Sequence, residues 1–146
     1  MFVLNPYLNF NGNAEQAFNF YKSVFGGDFS ALMRMNEAPG MPYELNDEDK
    51  QKIMHIALPI GRGNTLMASD VLESAGHQKA QGNNIYMGIN TTDEAEARRL
   101  FDGLSVNGQI EMPLSDMFWG ALFGSFTDQF GIKWMINCER TPAASA

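Results

Sequence analysis

The sequence predicts an α+β fold built from two copies of a β-α-β-β-β module, and three observations carry that expectation. Two amphipathic stretches, 13–27 and 92–107, align at a shift of 80 residues, matching Ala17 with Ala97, Phe20 with Leu100, Tyr21 with Phe101 and Val24 with Leu104. At a shift of 79, Tyr7 in the segment before the first stretch meets Tyr86 in the segment before the second. Three segments of strand character follow each stretch: 28–35, 53–60 and 65–70 in the first half, then 109–114, 118–126 and 132–137 in the second. Self-similarity of this kind decides architecture, so it takes precedence over any single motif.

Each element has a local reason. Residues 7–10 (Tyr-Leu-Asn-Phe) read as a short strand. From Asn13 onward, Ala17, Phe18, Tyr21, Val24 and Phe25 share one helical face. Asn13 is placed to cap the first amides, Gln16 to reach back in a capping box, and Gly26-Gly27 to supply the left-handed stop. The second helix buries Ala97, Leu100, Phe101 and Leu104, carries Asp93, Glu94 and Glu96 in its first turns and ends before Gly108. Its preceding strand is expected over 85–89. Glycine-containing turns at 61–64 and 127–131 join the last two strands of each half as hairpins. The segment 36–50, with prolines and acidic residues, breaks both periodicities and is read as a loop over the mouth of a pocket. Residues 73–84 form the linker, so one domain over 1–146 is expected, with module one over about 1–72 and module two over about 85–138.

Composition narrows the function. With 146 residues, 45% of them hydrophobic and 18% charged, the chain is long enough to bury a core without disulfides or a structural metal. A formal net charge of -7 with scattered basic residues argues against nucleic acid, whose affinity comes from Lys and Arg at phosphates. It argues equally against a polybasic membrane anchor. The single Cys138 has no partner for a disulfide or a Cys-x-x-Cys site, which fits a reducing, cytoplasmic location. The opening Met-Phe-Val-Leu-Asn-Pro has no positive n-region, and no run of eighteen apolar residues occurs, so neither export nor membrane spanning is expected.

Two β-α-β-β-β modules in this order resemble the vicinal oxygen chelate superfamily, which includes glyoxalase I, bleomycin-resistance proteins and extradiol dioxygenases. Pro6-Tyr7-Leu8-Asn9-Phe10 with Gly12-Asn13-Ala14, then residues 20–27 (Phe-Tyr-Lys-Ser-Val-Phe-Gly-Gly), Phe118-Trp119-Gly120 and residues 128–137 are similar to the PhnB-like branch. The resemblance implies a cup-shaped mixed sheet with the helices on its outer face, closed within one chain or across a homodimer with exchanged modules. It also implies, in metal-using members, one divalent ion held by four His, Glu or Gln side chains on the first and last strands of each module. Carried over by residue, those positions fall near Pro6, Ala68 or Ser69, Tyr86 and Met135. None is a histidine or carboxylate, and a divalent ion of this type wants N or O donors, so the family metal site is not expected here.

Each remaining candidate residue has a functional and a plainer structural reading. His55, on a strand beside Ile53 and Ala57, is the candidate catalytic or metal-binding histidine, with a hydrogen-bonded core role as the plainer alternative. A relocated divalent site would draw on His55, Asp70 and Glu111. Ser69 and Asp70 end a strand, where they either face a ligand or close a hairpin. Glu111, Asp116 and Trp119 place an aromatic beside carboxylates, a combination suited to an amphipathic or cationic ligand or to packing alone. Met67 and its counterparts on other strands would line a deformable apolar pocket or fill the core, and Tyr86 belongs with the ligand-binding set. No nucleophile elbow is present. Proteins of this branch often carry a methyltransferase label linked to ubiquinone synthesis. Here Gly61-Arg62-Gly63 joins two strands and no β-α alternation surrounds it, so S-adenosylmethionine is not an expected cofactor. The leading reading is a small-molecule binding or sequestering protein. A metal-dependent lyase, isomerase or dioxygenase with a non-standard site, and an interaction module with a filled cup, are the alternatives.

Overall fold

The computed structural model describes residues 1–40 and 44–140. Two compact units emerge, Met1–Gln81 and Gly82–Ala146, each a four-stranded mixed sheet with a helix on one face.

In the first unit the elements run β1 (Tyr7–Phe10), α1 (Ala14–Phe25), β2 (Ala31–Arg34), a 3-10 turn (Met35–Glu37), α2 (Asp47–Lys50), β3 (Ile53–Ile60), β4 (Asn64–Asp70) and a second 3-10 turn (Glu73–Ala75). The sheet order is β1-β4-β3-β2, with β1 parallel to β4 and the other pairs antiparallel. In the second unit β5 (Met87–Thr91), α3 (Glu94–Leu104), β6 (Gln109–Asp116), β7 (Ala121–Thr127) and β8 (Lys133–Glu139) repeat the pattern in the order β5-β8-β7-β6. This is the expected α+β arrangement of two β-α-β-β-β modules.

Strand alternation explains the cores. Along β4, Leu66, Ala68 and Asp70 are buried while Thr65, Met67 and Ser69 alternate with them, so the two sets occupy opposite faces. The buried set packs under α1 with Phe10, Phe18, Tyr21, Ile56 and Leu58, and Phe10 meets Phe18 edge-on at 6.3 Å between centroids. In the second unit Trp134, Ile136 and Cys138 of β8 pack with Leu122, Phe126 and the Ala97, Phe101 and Leu104 face of α3. Each fully buried leucine or isoleucine there contributes about 2 kcal/mol through apolar burial.

The structure corrects several local expectations. Asn13 makes no side-chain cap; the buried carboxylate of Asp70 instead accepts from Gly12 N at 3.1 Å and Ala14 N at 3.0 Å with Oδ1, and from Ile53 N at 2.8 Å with Oδ2. An acceptor from a distant strand thus replaces the local one, because it ties α1 and β3 to β4 at once. Gly26 and Gly27 take positive φ, 82° and 78°, but Gly26 at the helix end has ψ of -170° and is not in the expected left-handed conformation; its amide donates to Lys22 O. Segment 36–50 is not uniformly irregular: Asn46 Oδ1 accepts from Asp49 N at 2.7 Å and starts α2. The part of that loop at 41–43 lies outside the described residues, as does the tail beyond Arg140. Phe118 and Trp119 sit in the β6–β7 turn, because Met117 N bonds Ala121 O and Gly120 takes a φ of 89°. The expected linker belongs in part to the first unit, where Asn11 and Ala80 exchange two hydrogen bonds and Leu72 N donates to His77 Nδ1 at 3.0 Å.

Candidate functional site

The helix-free face of the second sheet carries two groups of polar and aromatic side chains. At one end Tyr86 Oη donates to Glu111 Oε2 at 2.6 Å, Lys133 Nζ donates to Glu111 Oε1 at 3.0 Å and to Thr127 Oγ1 at 3.2 Å, and Thr127 Oγ1 donates to Glu111 Oε1 at 3.1 Å. The Lys133 ammonium also lies 5.1 Å from the centre of the Tyr86 ring, within cation-π range. These residues come together because Thr127 is directly across from Lys133 in the β7–β8 ladder. The Tyr86 hydroxyl first, then Lys133, holds the Glu111 carboxyl below the usual range, and Glu111 in turn raises the Lys133 ammonium. Both groups therefore stay charged near neutrality, which suits recognition and bracing; a proton-transfer catalyst needs a pKa near the working pH.

At the other end, a cleft of about 340 Å³ opens beside the β6–β7 turn, lined by Trp119, Gly120, Ala121, Asn137, Glu139 and Arg140. Trp119 is 52% exposed and edge-on to Phe123 at 6.0 Å. The two charges in the cleft differ in their commitments. Arg140 is engaged by Glu94 at 2.7 Å and by Asp116, while no described residue pairs with the Glu139 side chain. Asn137 alternates with buried Ile136 and Cys138 and so faces away from α3. Burial raises the Cys138 thiol, keeping it protonated and inert.

In the first unit, His55 Nδ1 is 3.1 Å from Tyr7 Oη, and the two rings stack at 5.7 Å with 28° between planes. Met33 is directly across from His55 in the β2–β3 ladder, and Met67 is across from both Tyr7 and Ala57. Ser69 shares this face, where its hydroxyl approaches Asn9 Oδ1 at 3.4 Å.

The residues singled out in the sequence are thus sorted by pleat and by partner. Tyr86 and Glu111 are joined directly. Trp119 lines the cleft, and Asp116 braces Arg140 at its edge. Met67, Ser69 and His55 share the helix-free face of the first sheet. Asp70 does not join them: it points to the helix side with every oxygen occupied by backbone amides, which takes it out of both the ligand-binding set and the relocated metal trio. Among the described residues no three His, Cys, Asp or Glu side chains are grouped to hold a metal ion. Sequence reasoning missed Lys133, Thr127, Asn137, Glu139 and Tyr7. Their signal was alternation with buried neighbours along β7, β8 and β1, readable only once the ladders are known. It also missed Asp128, whose buried carboxylate accepts from Phe130 N, Ile132 N and Trp134 Nε1 and sets the β7–β8 turn.

The paired modules with this strand order recur in known proteins. The profile of the Glyoxalase/Bleomycin resistance protein/Dioxygenase superfamily matches residues 3–136. The chain belongs to this superfamily. It is 32% identical to Protein YjdN of Escherichia coli over 142 residues, covering 92% of this chain and 93% of that one. The crystal structure of protein PA1353 from Pseudomonas aeruginosa is 39% identical, with a TM-score of 0.84 over 97% of this chain and 100% of that one. The PhnB protein from Bacillus cereus shares the fold at 23% identity, with a TM-score of 0.71 over 94% of this chain and 98% of that one. Metal-using superfamily members place N and O donors on the first and last strands of each module. Here those strands present Tyr7, Asn9, Met67, Ser69, Lys133, Met135 and Asn137 on their helix-free faces, with Glu139 at the end of β8 as the one carboxylate among the described residues of those faces. No histidine stands on these strands and a single carboxylate does not make the four-ligand set, so the residues present do not fit the superfamily's metal.

Proposed function

We propose that the protein binds a small organic molecule in the cleft of its second unit, acting as a binding or sequestering protein, and that the ligand joins a planar apolar part to a positive charge. The observation that carries this reading is half-exposed Trp119 in one cleft with the carboxylate of Glu139, which no described residue pairs. Because Arg140 is already neutralised by Glu94 and Asp116, the charge left for a ligand to meet is negative. An aromatic wall supplies the apolar and cation-π contact, and Asn137 offers a hydrogen bond that fixes orientation. The volume of about 340 Å³ lies at the lower end of ordinary ligand sites.

Calorimetric titration with planar probes of different charge tests this directly. Cationic 9-aminoacridine is expected to bind one to one, with affinity falling about tenfold, equivalent to one mid-strength electrostatic contact, in Glu139→Gln. Trp119→Ala is expected to weaken it at least as much. Equal or tighter binding of an anionic naphthoate would refute the assignment.

The reading extends to a cytoplasmic homodimer. The reduced, buried Cys138 supports the compartment. Exposed Phe2, Leu4, Ile85 and Phe118 supply apolar surface for an interface. Light scattering coupled to gel filtration is expected to return twice the 16.2 kDa chain mass.

A further inference from the structure

We propose a second site, independent of the cleft: the helix-free face of the first sheet binds a soft monovalent d10 ion, of which Cu(I) is the biological example, through His55 Nε2 and the thioethers of Met33 and Met67. Three neighbouring strands supply the ligands. His55 stands on β3, Met33 directly across from it on β2, and Met67 on β4 beside Ala57, two positions further along the His55 face. Directly opposed side chains on adjacent strands lie about 5 Å apart and diagonal ones about 7–8 Å, spans that the three rotatable bonds of methionine close. The histidine thus has one methionine directly across from it on β2 and one on the diagonal on β4.

The fourth residue orients the donor. Tyr7 Oη meets His55 Nδ1 at 3.1 Å and its ring stacks on the imidazole, which fixes the ring plane. No described residue bonds Nε2, which leaves that nitrogen available as the donor to the ion. Tyr7 is 48% exposed and Met33 39% exposed, so the face is reachable.

The donor set selects the ion. Asp70 is on the opposite face with its oxygens occupied, and among the described residues no group of His, Cys, Asp or Glu forms around His55. One imidazole and two thioethers suit Cu(I) or Ag(I) and are poor ligands for zinc, manganese or magnesium. One face of the sheet therefore gathers the half-exposed Met33, the partly buried Met67 and a histidine whose ring Tyr7 holds.

The test titrates Ag(I), and anaerobically Cu(I) against a chromophoric chelator, into the full chain carrying Cys138→Ala so that no thiolate competes. Methyl-labelled methionine is followed by NMR. One equivalent is expected to bind, moving the Met33 and Met67 methyl resonances and leaving the other methionines in place. Affinity is expected to fall at least tenfold in Met33→Leu and in Met67→Leu, which keep the shape of the side chain, and further in His55→Ala. Absence of binding, unchanged affinity in the Met33→Leu/Met67→Leu double variant, shifts confined to other methionines, or displacement by equimolar zinc would each overturn the assignment.

Discussion

Replacing Asp70 tests whether one buried carboxylate holds the first unit together. Its Oδ1 accepts the amides of Gly12 and Ala14 at the start of α1, and its Oδ2 accepts the amide of Ile53 at the start of β3. Asp70 is 3% exposed, so water cannot fully replace the lost acceptor. Asp70→Ala leaves two buried amides, those of Ala14 and Ile53, without a partner at about 1–3 kcal/mol each. The Ala14 bond is also the side-chain cap of α1, so a total of roughly 2–6 kcal/mol is expected. Asp70→Asn keeps one acceptor oxygen for α1 but turns a donor toward Ile53 N, for an expected loss of about 1–3 kcal/mol. Domains of this class are stable by about 5–15 kcal/mol, so the alanine variant approaches the unfolding threshold. The assay is urea unfolding followed by far-UV circular dichroism, with slopes compared to confirm that the transition itself is unchanged. Ser69→Ala, on the other face of the same strand, serves as control and is expected to stay within about 0.5 kcal/mol. An alanine variant within about 1 kcal/mol of the wild type, or an asparagine variant less stable than the alanine one, would refute this account.

Three further outcomes follow from the same structure. Asp49 accepts from Ser74 Oγ at 2.5 Å and from Lys52 at 2.9 Å, and these partners hold its carboxyl below the usual range. Its folded pKa is depressed, so its contribution is complete above the unfolded value and fades as pH falls through the folded one. Asp49→Asn should then cost about 1–2 kcal/mol at pH 7 and much less near pH 2, read from urea midpoints at both pH values; an equal cost at both would contradict the assignment. At Gly124 an added Cβ would lie 2.7 Å from Phe101 Cε2 and 3.0 Å from the Leu114 backbone, whereas at Gly88 the nearest atom is 3.8 Å away. Gly124→Ala is expected to destabilise by about 1–3 kcal/mol in thermal melts and Gly88→Ala to be near neutral; the reverse order would show the β6–β7 contact to be wrongly described. Finally, Trp119 is half-exposed and Trp134 only 1% exposed, so acrylamide should quench the wild type in two phases. Trp119→Phe should leave the protected, blue-shifted phase alone, and a surviving accessible phase would place Trp134 in solvent.

The two-module repeat was legible because the helical and strand spacings recur along the chain at a shift of about 80 residues. Helical faces such as Ala97, Leu100, Phe101 and Leu104, and the strand at 53–60, were legible because each answers to a local rule of spacing three-to-four or two. Boundaries governed by partners elsewhere were not. The start of α1 depends on Asp70, more than fifty residues away in sequence, and the turn holding Trp119 depends on a hydrogen bond across β6 and β7.

The candidate sites divide in the same way. Residue chemistry by itself set the expectations that the family's divalent ligands are not at their usual positions and that nucleic acid is not a partner, and it singled out Trp119, Glu111, Tyr86 and His55, because side-chain type and net charge do not depend on fold. Only the tertiary structure decided that Asp70 is a cap, that Glu111 is a brace locked to Tyr86 and Lys133, that no described residue pairs with Glu139 in the cleft, and that Met33 lies across from His55 with Met67 on the diagonal. Those distinctions turn on which face of a strand a side chain occupies and which ladder it joins. Face and ladder are settled by register between strands distant in the chain, a property that local sequence does not encode.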